Sequence, residues 1–371
     1  MHRVLVSGGG AAGARLSEPP VQLIYSGDQN TRDSTLVAAT ASAKALAMSP
    51  QILSLALAAA LCTGCASLTS REPGLRVVTN QSHRGWHDAV IVGNGQVEAV
   101  IVPSVGRVMQ FRFAGESDGP FWENDRLTGQ PMPAKPWEAA HGSFGGDKTW
   151  PAPQSLWNWP PPDVFDAAPL AFRVTEDRAV VLTSPVSARF GIRTERRVTL
   201  DRKEPVMRIE TTYEKVSGDP VEVGVWVITQ AKDPEAVFLP IPAGSKFPSG
   251  TTTMWGVPTN HLSRVDGMLR LTRDLTGSHK IGNDGTSIVW VGAKELLRVD
   301  VPRVAGATYP DDGCSAEIYT NPDPVPYVEL ETLGPLKTLK VGDRLSATNT
   351  YRLARRVNGS VAAEAKALLA Q

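Results

Sequence analysis

Alternation of apolar and polar residues runs through most of this chain and restricts it to a β-rich fold. From about residue 75 to residue 353, runs such as DAVIVG, RVMQFRF, VEVGVWVITQ and SIVWVG repeat with a period of two. That period is typical of strands, whose successive side chains point to opposite faces of a sheet. About fourteen such runs without a helical segment between them predict two large antiparallel sheets stacked face to face.

The composition agrees with a folded chain that is rich in turns. The 371 residues include 33 glycines and 29 prolines, and 42% of the chain is hydrophobic. The 38 basic residues balance the 38 acidic ones, so the formal net charge is +0. A neutral chain offers no electrostatic basis for binding nucleic acid, and we expect no nucleic-acid partner.

The first residues contain a glycine pattern that does not predict a nucleotide site. Gly8, Gly10 and Gly13 match G-x-G-x-x-G after a short apolar run. A dinucleotide fold needs a helix directly after this turn, but Pro19 and Pro20 interrupt the next segment. We therefore expect residues 1–47 to be disordered or not translated, and we expect no cofactor.

A short hydrophobic segment, residues 48–64, has the features of a signal peptide. Its apolar run, residues 52–61, is too short to span a bilayer. The following LCTGC resembles a bacterial lipobox, which implies cleavage before Cys65 and lipid attachment there. Because Ala66 follows, the resemblance also implies an outer-membrane location facing the periplasm. A buried helix is the alternative, and residues 65–74 are expected to form a linker.

Cysteine usage agrees with this location. The chain has three cysteines, Cys62, Cys65 and Cys314. Cleavage would remove the first and lipid would modify the second, so no internal disulfide is expected. Cys314 lies in a strand-like segment, and we interpret it as a small core residue.

Two neighbouring strand-like segments near the C-terminus carry acidic and aromatic residues at alternate positions. In EIYTNPDPVPYVELETLGP, Glu329 and Glu331 share a face with Tyr327, and Glu317 shares a face with Tyr319. Paired carboxylates on a sheet face suit acid/base chemistry or cation binding. A solvated outer face is the alternative, since alternation predicts that as well.

The segment GGDKTWPAPQSLWNWPPP, residues 145–162, concentrates three tryptophans and five prolines. Its proline content predicts an ordered loop and argues against a central strand. A stiff aromatic loop can stack on the apolar face of a sugar ring. Trp150 is the candidate platform, and Lys148, Gln154 and Asp147 are candidates for polar contacts. Capping of one end of the sheet sandwich is the alternative role for the tryptophans.

Three stretches resemble known proteins. VELETLGP with LKVGDRLSATNTYRL is similar to the C-terminal signature of galactose mutarotase-like proteins, and VPSVGRVMQFRFAG is similar to their opening hairpin. GGDKTWPAPQ resembles the hallmark of a bacterial family of that superfamily without a settled reaction. The resemblance covers about residues 75–355. It implies a supersandwich of two long antiparallel sheets with one concave face that binds an aldose.

The resemblance also implies roles for individual residues. Glu331 aligns with the catalytic base that takes the proton of the anomeric hydroxyl. Gln230 stands where the superfamily has a histidine acid, and glutamine cannot exchange a proton at neutral pH. His141 and Lys148 are therefore the candidate acids, and Glu329 and Arg107 are candidates for substrate binding.

Three functions remain open at this stage. The first is a carbohydrate-active enzyme, either an aldose epimerase or a related sugar-ring catalyst. The second is a non-catalytic sugar-binding lipoprotein, and the third is an envelope assembly protein without a small ligand. We expect a monomer that contacts the membrane through its lipid anchor and holds no metal. Residues 75–355 are expected to form one domain, and residues 356–371 a tail or short helix.

Overall fold

The alternating segments pair into two large antiparallel sheets in the computed structural model, which describes residues 74–131, 143–357 and 359–371. The prediction of an all-β supersandwich with two large sheets is confirmed. The predicted signal peptide, the lipidation site Cys65 and the candidate acid His141 lie outside the described residues.

Sheet 1 has eleven strands. Ten of them follow one path, which in spatial order is β1 (Arg76–His83), β2 (Trp86–Gly93), β3 (Val97–Val102), β4 (Arg107–Phe113), β5 (Gly146–Ala152), β10 (Val221–Lys232), β19 (Tyr327–Leu333), β18 (Ala316–Thr320), β15 (His279–Asn283) and β12 (Thr252–Trp255). The eleventh, β20 (Lys337–Leu339), pairs with β10 beside this path.

Sheet 2 has ten strands. In spatial order they are β13 (Leu262–Val265), β14 (Met268–Leu271), β11 (Ala236–Pro240), β16 (Ser287–Val291), β17 (Glu295–Asp300), β21 (Arg344–Arg355), β9 (Val206–Lys215), β8 (Ile192–Leu200), β7 (Val180–Thr183) and β6 (Ala171–Val174).

Helices are short in the part of the chain that the structure describes. They are α1 (Asp163–Asp166) and α2 (Val361–Leu369), with three-residue 3-10 turns at Pro103–Val105, Gln154–Leu156 and Asp311–Gly313. The Ser360 hydroxyl caps α2 by accepting a hydrogen bond from the Ala363 N–H. Leu368 of α2 packs against apolar residues of sheet 2. No described helix is long and apolar enough to cross a membrane.

The main core lies between the two sheets and determines which way each strand faces. Ile318, Val328 and Leu330 of sheet 1 share a buried cluster with Leu297 and Leu353 of sheet 2. Burying an aliphatic side chain of this size contributes about 1.5–3 kcal/mol. Because strand side chains alternate, burying these residues directs the intervening acidic residues of β18 and β19 away from sheet 2.

The loop prediction for residues 145–162 is wrong at its beginning, where β5 is an inner strand of sheet 1. β5 pairs with β10, and Pro151 lies opposite Val225. The Val225 carbonyl accepts a hydrogen bond from Gly334 on its other side, so it does not bond across to Pro151. The missing N–H of Pro151 therefore faces β4, whose described pairing with β5 is limited to Val108 and Asp147.

The two glycines before Asp147 allow this strand to fit. Gly145 has φ +92° and Gly146 has φ +70°, which are backbone conformations that favour glycine. A Cβ atom at Gly145 would lie 2.1 Å from the Trp122 carbonyl oxygen, and one at Gly146 would lie 2.5 Å from the Val108 carbonyl oxygen. The double glycine thus serves the close approach of β5 to its neighbours.

Candidate functional site

The face of sheet 1 that points away from sheet 2 carries the predicted carboxylates, and we call it the polar face. Directly paired residues of neighbouring strands share a face, so the register gives its composition. One row, from β5 to β12, contains Lys148, Ile228, Glu331, Glu317, Gly282 and Thr252. The adjacent row contains Gly146, Gln230, Glu329, Tyr319, Lys280 and Trp255. Three carboxylates and two lysines therefore share one surface.

Lys280 links two of these carboxylates. Its Nζ lies 2.8 Å from Glu317 Oε2 and 3.0 Å from Glu331 Oε2. The same Nζ lies 4.5 Å from the ring centre of Trp226, whose indole N–H donates to Glu331 Oε2 over 2.7 Å. Burial lowers the pKa of Lys280, but the attraction of Glu317 and Glu331 for its charged form outweighs burial. The pKa of Lys280 is therefore raised overall. This lysine therefore stays charged and holds the two acids in place.

Glu317 is the most enclosed of the three acids. It is fully buried, and neither of its carboxylate oxygens forms a hydrogen bond among the described residues beyond the ion pair with Lys280. Burial raises the pKa of Glu317 well above its ordinary value, although Lys280 opposes that rise. The glycine opposite it is required, because a Cβ atom at Gly282 would lie 2.8 Å from the Glu317 side chain.

Glu329 is an acid of the polar face whose pKa lies near neutral. The side-chain N–H of Gln230 donates to Glu329 Oε1 over 3.0 Å. The Ser143 hydroxyl donates in turn to the side-chain oxygen of Gln230. Burial raises the pKa of Glu329 to about 7, with Lys148 lowering and Glu331 raising it. The group can therefore gain or lose a proton near neutral pH.

Lys148 lies at the other end of the rows, beside a buried aspartate. Its Nζ lies 3.3 Å from Asp166 Oδ1, which also accepts a hydrogen bond from the Trp150 indole over 2.9 Å. Arg107 forms an ion pair with Asp166 Oδ2 at 2.9 Å. Burial lowers the pKa of Lys148, while Asp166 and Glu329 raise it, and the net direction is downward. Lys148 is therefore a better proton donor than an exposed lysine.

Comparisons with known proteins bear on the fold. No protein-family model and no curated protein matches this chain. A solved structure of a TPR-domain containing protein from Parabacteroides distasonis is 14% identical, with a TM-score of 0.50 over 72% of this chain. The chain spans 47% of that protein's length. A likeness at this identity shows the fold alone.

Two further solved structures that this chain resembles are a mutarotase-like protein and a putative epimerase. A galactose mutarotase-like protein from Lactobacillus casei is 11% identical, with a TM-score of 0.48, and the match covers 72% of this chain and 100% of that one. A putative aldose 1-epimerase from Escherichia coli is 11% identical, with a TM-score of 0.44 over 76% and 100% of the two chains.

Within this fold of two stacked sheets, four predicted site residues lie on the polar face. Lys148 and Glu331 belong to one row, Glu329 belongs to the next, and Trp150 lies opposite Trp226. Lys148 and Glu329 influence each other's pKa, so β5 and β19 are electrostatically connected across β10. The structure thus brings together residues that are far apart in the sequence.

Two other candidates for substrate binding have structural partners elsewhere. Asp147 points between the sheets, where it forms an ion pair with Arg196 and accepts hydrogen bonds from Thr229 and Tyr351 at 2.6 Å each. It occupies the opposite face because it alternates with Lys148. Arg107 is fully buried, and its guanidinium binds Asp166 and the Gly145 carbonyl. Neither side chain is therefore exposed to a ligand: Asp147 faces sheet 2, and Arg107 is buried beside Asp166, which also pairs with Lys148.

The tryptophans of residues 145–162 differ in exposure. Trp150 is 6% exposed, because Trp157 and Trp226 pack edge-on against it and Lys148 lies 4.0 Å from its ring centre. Trp159 is 53% exposed. Gln154 lies in the 3-10 turn after β5, and no described contact joins its side chain to Glu329 or Glu331. The packing leaves Trp150 little ring surface for a ligand.

Sequence reasoning missed Lys280 and Trp226. Both follow the period of two in their own strands, but nothing local distinguishes Lys280 from a solvated lysine. Its role depends on the pairing of β15 with β18 and of β18 with β19. The available signal was Gly282, a glycine inside a strand pattern, which indicates a close approach.

The described histidines lie away from the polar face rows. His83 Nε2 lies 2.9 Å from Glu123 Oε2, and His279 Nε2 lies 3.0 Å from Asp274 Oδ2. The His87 ring is hydrogen-bonded to Ser82. Among the described residues, no group of three or more His, Cys, Asp or Glu side chains could hold a metal ion.

Proposed function

We propose that the polar face of sheet 1 binds a carbohydrate and exchanges a proton with it. The observation that supports this most directly is Glu329, a carboxyl group with a pKa of about 7 that keeps 9% of its surface exposed. Such a group is partly protonated and partly ionised at neutral pH, so it can accept and return a proton.

The chemistry that suits these groups is the interconversion of sugar anomers. A base removes the proton from the anomeric hydroxyl while an acid protonates the ring oxygen, and the bond between the anomeric carbon and the ring oxygen breaks. Reclosure on the other face of the carbonyl returns both protons. Lys148, with its lowered pKa, is the candidate acid, and Glu329 and Glu331 are the candidate bases. Glu329 is favoured because its pKa is about 7, whereas Glu331 is held by the Lys280 ammonium and the Trp226 indole.

Anomer exchange measured by NMR tests this assignment. Wild-type protein should equilibrate α-D-glucose or α-D-galactose faster than the spontaneous reaction does. Glu329→Gln preserves the side-chain shape but cannot carry the proton, so exchange should fall by about 10²–10⁴-fold while binding persists. Glu331→Gln is the matched variant, and a larger loss there would move the base role to Glu331. Wild-type protein that does not exceed the spontaneous rate would exclude this catalysis.

A non-catalytic sugar-binding protein is the second candidate function. Gln230 favours it, because an amide that cannot exchange a proton lies next to Glu329 and bonds to it. In that case calorimetry would detect sugar binding by the wild type, and neither Glu329→Gln nor Glu331→Gln would change any exchange rate.

We also propose that the chain is an envelope lipoprotein anchored through Cys65. The support is the sequence alone, a short apolar segment followed by LCTGC. Cys65→Ser should release the protein from the membrane fraction and abolish labelling by a radioactive fatty acid. Cys62→Ser is the matched control, since cleavage before Cys65 would remove it in any case. Membrane association that survives Cys65→Ser would contradict the anchor.

A further inference from the structure

Aromatic rings form a line along one side of the carboxylate rows. The Trp122 and Tyr327 ring centres are 4.7 Å apart, and the Tyr327 and Tyr319 centres are 6.3 Å apart. These three side chains are half-buried, so each keeps some surface exposed. We call Trp122, Tyr327, Tyr319 and Trp255 the aromatic track.

Trp255 extends this track to the edge of the sheet. It lies on β12, the last strand of sheet 1, and pairs with Lys280, which places it on the polar face. Its indole N–H donates to the Ser278 hydroxyl over 2.9 Å, and the same serine affects the pKa of Tyr319. Trp255 is 46% exposed although it is a large apolar side chain. Its ring is held by a hydrogen bond at one edge and remains open to a ligand.

The length of the track exceeds what a single sugar ring needs. Trp255 lies on β12 and Tyr327 on β19, three strand spacings apart at about 4.8 Å each. The Trp122 ring lies a further 4.7 Å from the Tyr327 ring, so the track spans about 19 Å. That distance is several times the width of one pyranose ring. Aromatic side chains in a row beside hydrogen-bonding groups are suited to successive units of one chain.

The charges on the polar face indicate the class of sugar. Glu317, Glu329 and Glu331 face Lys280 and Lys148, and Lys148 already forms an ion pair with Asp166. Both lysines of this face are therefore already paired with carboxylates. A chain of uronates or of sulfated sugars would have to compete with those carboxylates for a cation, whereas a neutral glycan needs none.

We propose that the polar face takes a neutral oligosaccharide of several units, with Trp255 as the stacking platform for its outer unit. This inference rests on the proposed carbohydrate binding and extends it from a single aldose to a chain. The units near Glu329 and Glu331 would occupy the proton-transfer site, and the units toward β12 would add affinity. Affinity should therefore increase with ligand length until Trp255 is reached.

Calorimetry with two length series tests the proposal. The ligands are glucose, cello-oligosaccharides and malto-oligosaccharides of one to six units, with oligogalacturonate as the charged counterpart. Wild type should bind the longest neutral ligand of one series at least about tenfold more tightly than glucose. It should bind oligogalacturonate more weakly than both glucose and that neutral ligand. Trp255→Ala should lower affinity for the long ligand by roughly tenfold and leave glucose affinity unchanged.

Matched variants separate stacking from folding. Trp255→Phe keeps a ring and should retain most of the length dependence. Phe172→Ala truncates an aromatic side chain of similar exposure, 38%, on β6 of the other sheet, and should change neither affinity. Wild type that binds glucose but gains nothing with length, or Trp255→Ala that weakens glucose and the long ligand equally, would overturn the track and leave the proposed function standing. Wild type that binds no ligand of either series would overturn both.

Discussion

At the scale of single residues, the same residue type serves opposite purposes according to the face it occupies. Asp147 is buried between the sheets with Arg196, whereas Glu329 lies on the polar face with an amide donor and a neutral pKa. A buried carboxylate that is ion-paired with a cation is kept in its charged form. Burial of a carboxyl group that is hydrogen-bonded to an amide instead raises its pKa toward neutral. Position on the strand thus separates the structural acid from the chemical one.

Glu329 should make stability depend on pH. Its folded pKa of about 7 lies above the ordinary value of 4.5, so the folded state binds the proton more tightly than the unfolded state does. The contribution of Glu329 to the unfolding free energy should therefore be fully present below about pH 4.5 and be lost as the pH rises through about 7. Glu329→Gln should remove this loss and stabilise the protein by about 1–3 kcal/mol at pH 8, with little effect at pH 4.5. Urea unfolding at both pH values measures it.

The control for this pH effect is an exposed glutamate. Glu176→Gln changes the same functional group in a solvent-exposed turn, so its effect should not differ between the two pH values. An equal response of the two variants would contradict the assignment to Glu329.

Asp147→Asn should destabilise the fold and not act through ligand binding. The change leaves the buried Arg196 guanidinium without its anionic partner, and such losses cost about 3–5 kcal/mol. Thermal or urea unfolding measures the loss. Glu195→Gln, which breaks a more exposed pair with Arg173, should cost far less. If Asp147→Asn left stability unchanged but weakened sugar affinity, Asp147 would have to be assigned to the binding site.

At the scale of elements, β5 shows how a strand accommodates residues that oppose strand formation. Pro151 lies at a position where β10 needs no donor from it, and Gly145 and Gly146 permit close approach to backbone carbonyls. The result is a rigid strand that directs Lys148 and Trp150 to the polar face and Asp147 and Thr149 to the interior. The GGDKTWPAP stretch is therefore explained largely by packing.

Gly145→Ala should be among the most destabilising changes in this strand. The added Cβ meets the Trp122 carbonyl oxygen at 2.1 Å, and the backbone has φ +92°. We expect a loss above the roughly 1–3 kcal/mol that a left-handed conformation alone costs. Gly115→Ala is the matched control, because φ is +83° there and no atom lies within 4 Å of the new Cβ. Equal losses in denaturant unfolding would show that the close approach does not matter.

At the scale of the whole molecule, the two sheets share one core, so neither can unfold alone without exposing the other. Side chains of β2, β4, β18 and β19 lie in the same buried cluster as side chains of β9, β17 and β21. Hydrogen bonds from Tyr351 of sheet 2 to Asp147 of sheet 1 add a polar connection across the core. The sandwich of residues 74–371 should therefore behave as one cooperative unit.

A single unfolding transition is the expected outcome. Far-ultraviolet circular dichroism, which reports the strands, and tryptophan fluorescence, which reports Trp150, Trp226 and Trp290, should change with one midpoint in urea. The native spectrum should be dominated by strand signal, since the described helices are limited to α1 and α2. Midpoints that differ between the two signals would contradict a shared core.

Part of the candidate site could be predicted from the sequence. The common face of Glu329 and Glu331 follows from their spacing of two, and the structure has them so. The partners of these acids could not be predicted, because Lys280 and Trp226 lie about 50 and 100 residues away along the chain. The β5 segment was assigned to a loop because its prolines dominate local propensity, and only the pairing with β10 shows that this position tolerates them.

The sequence by itself determined that the chain is all-β and which residues of each strand share a face. It could do so because side-chain alternation is a local property of the strand backbone, and burial of the apolar set favours one orientation. The tertiary structure decided which strands are neighbours and in what register. That choice depends on pairing between distant segments, and it alone turned separate acidic strands into a surface with Lys280 between Glu317 and Glu331 and Trp255 at its edge.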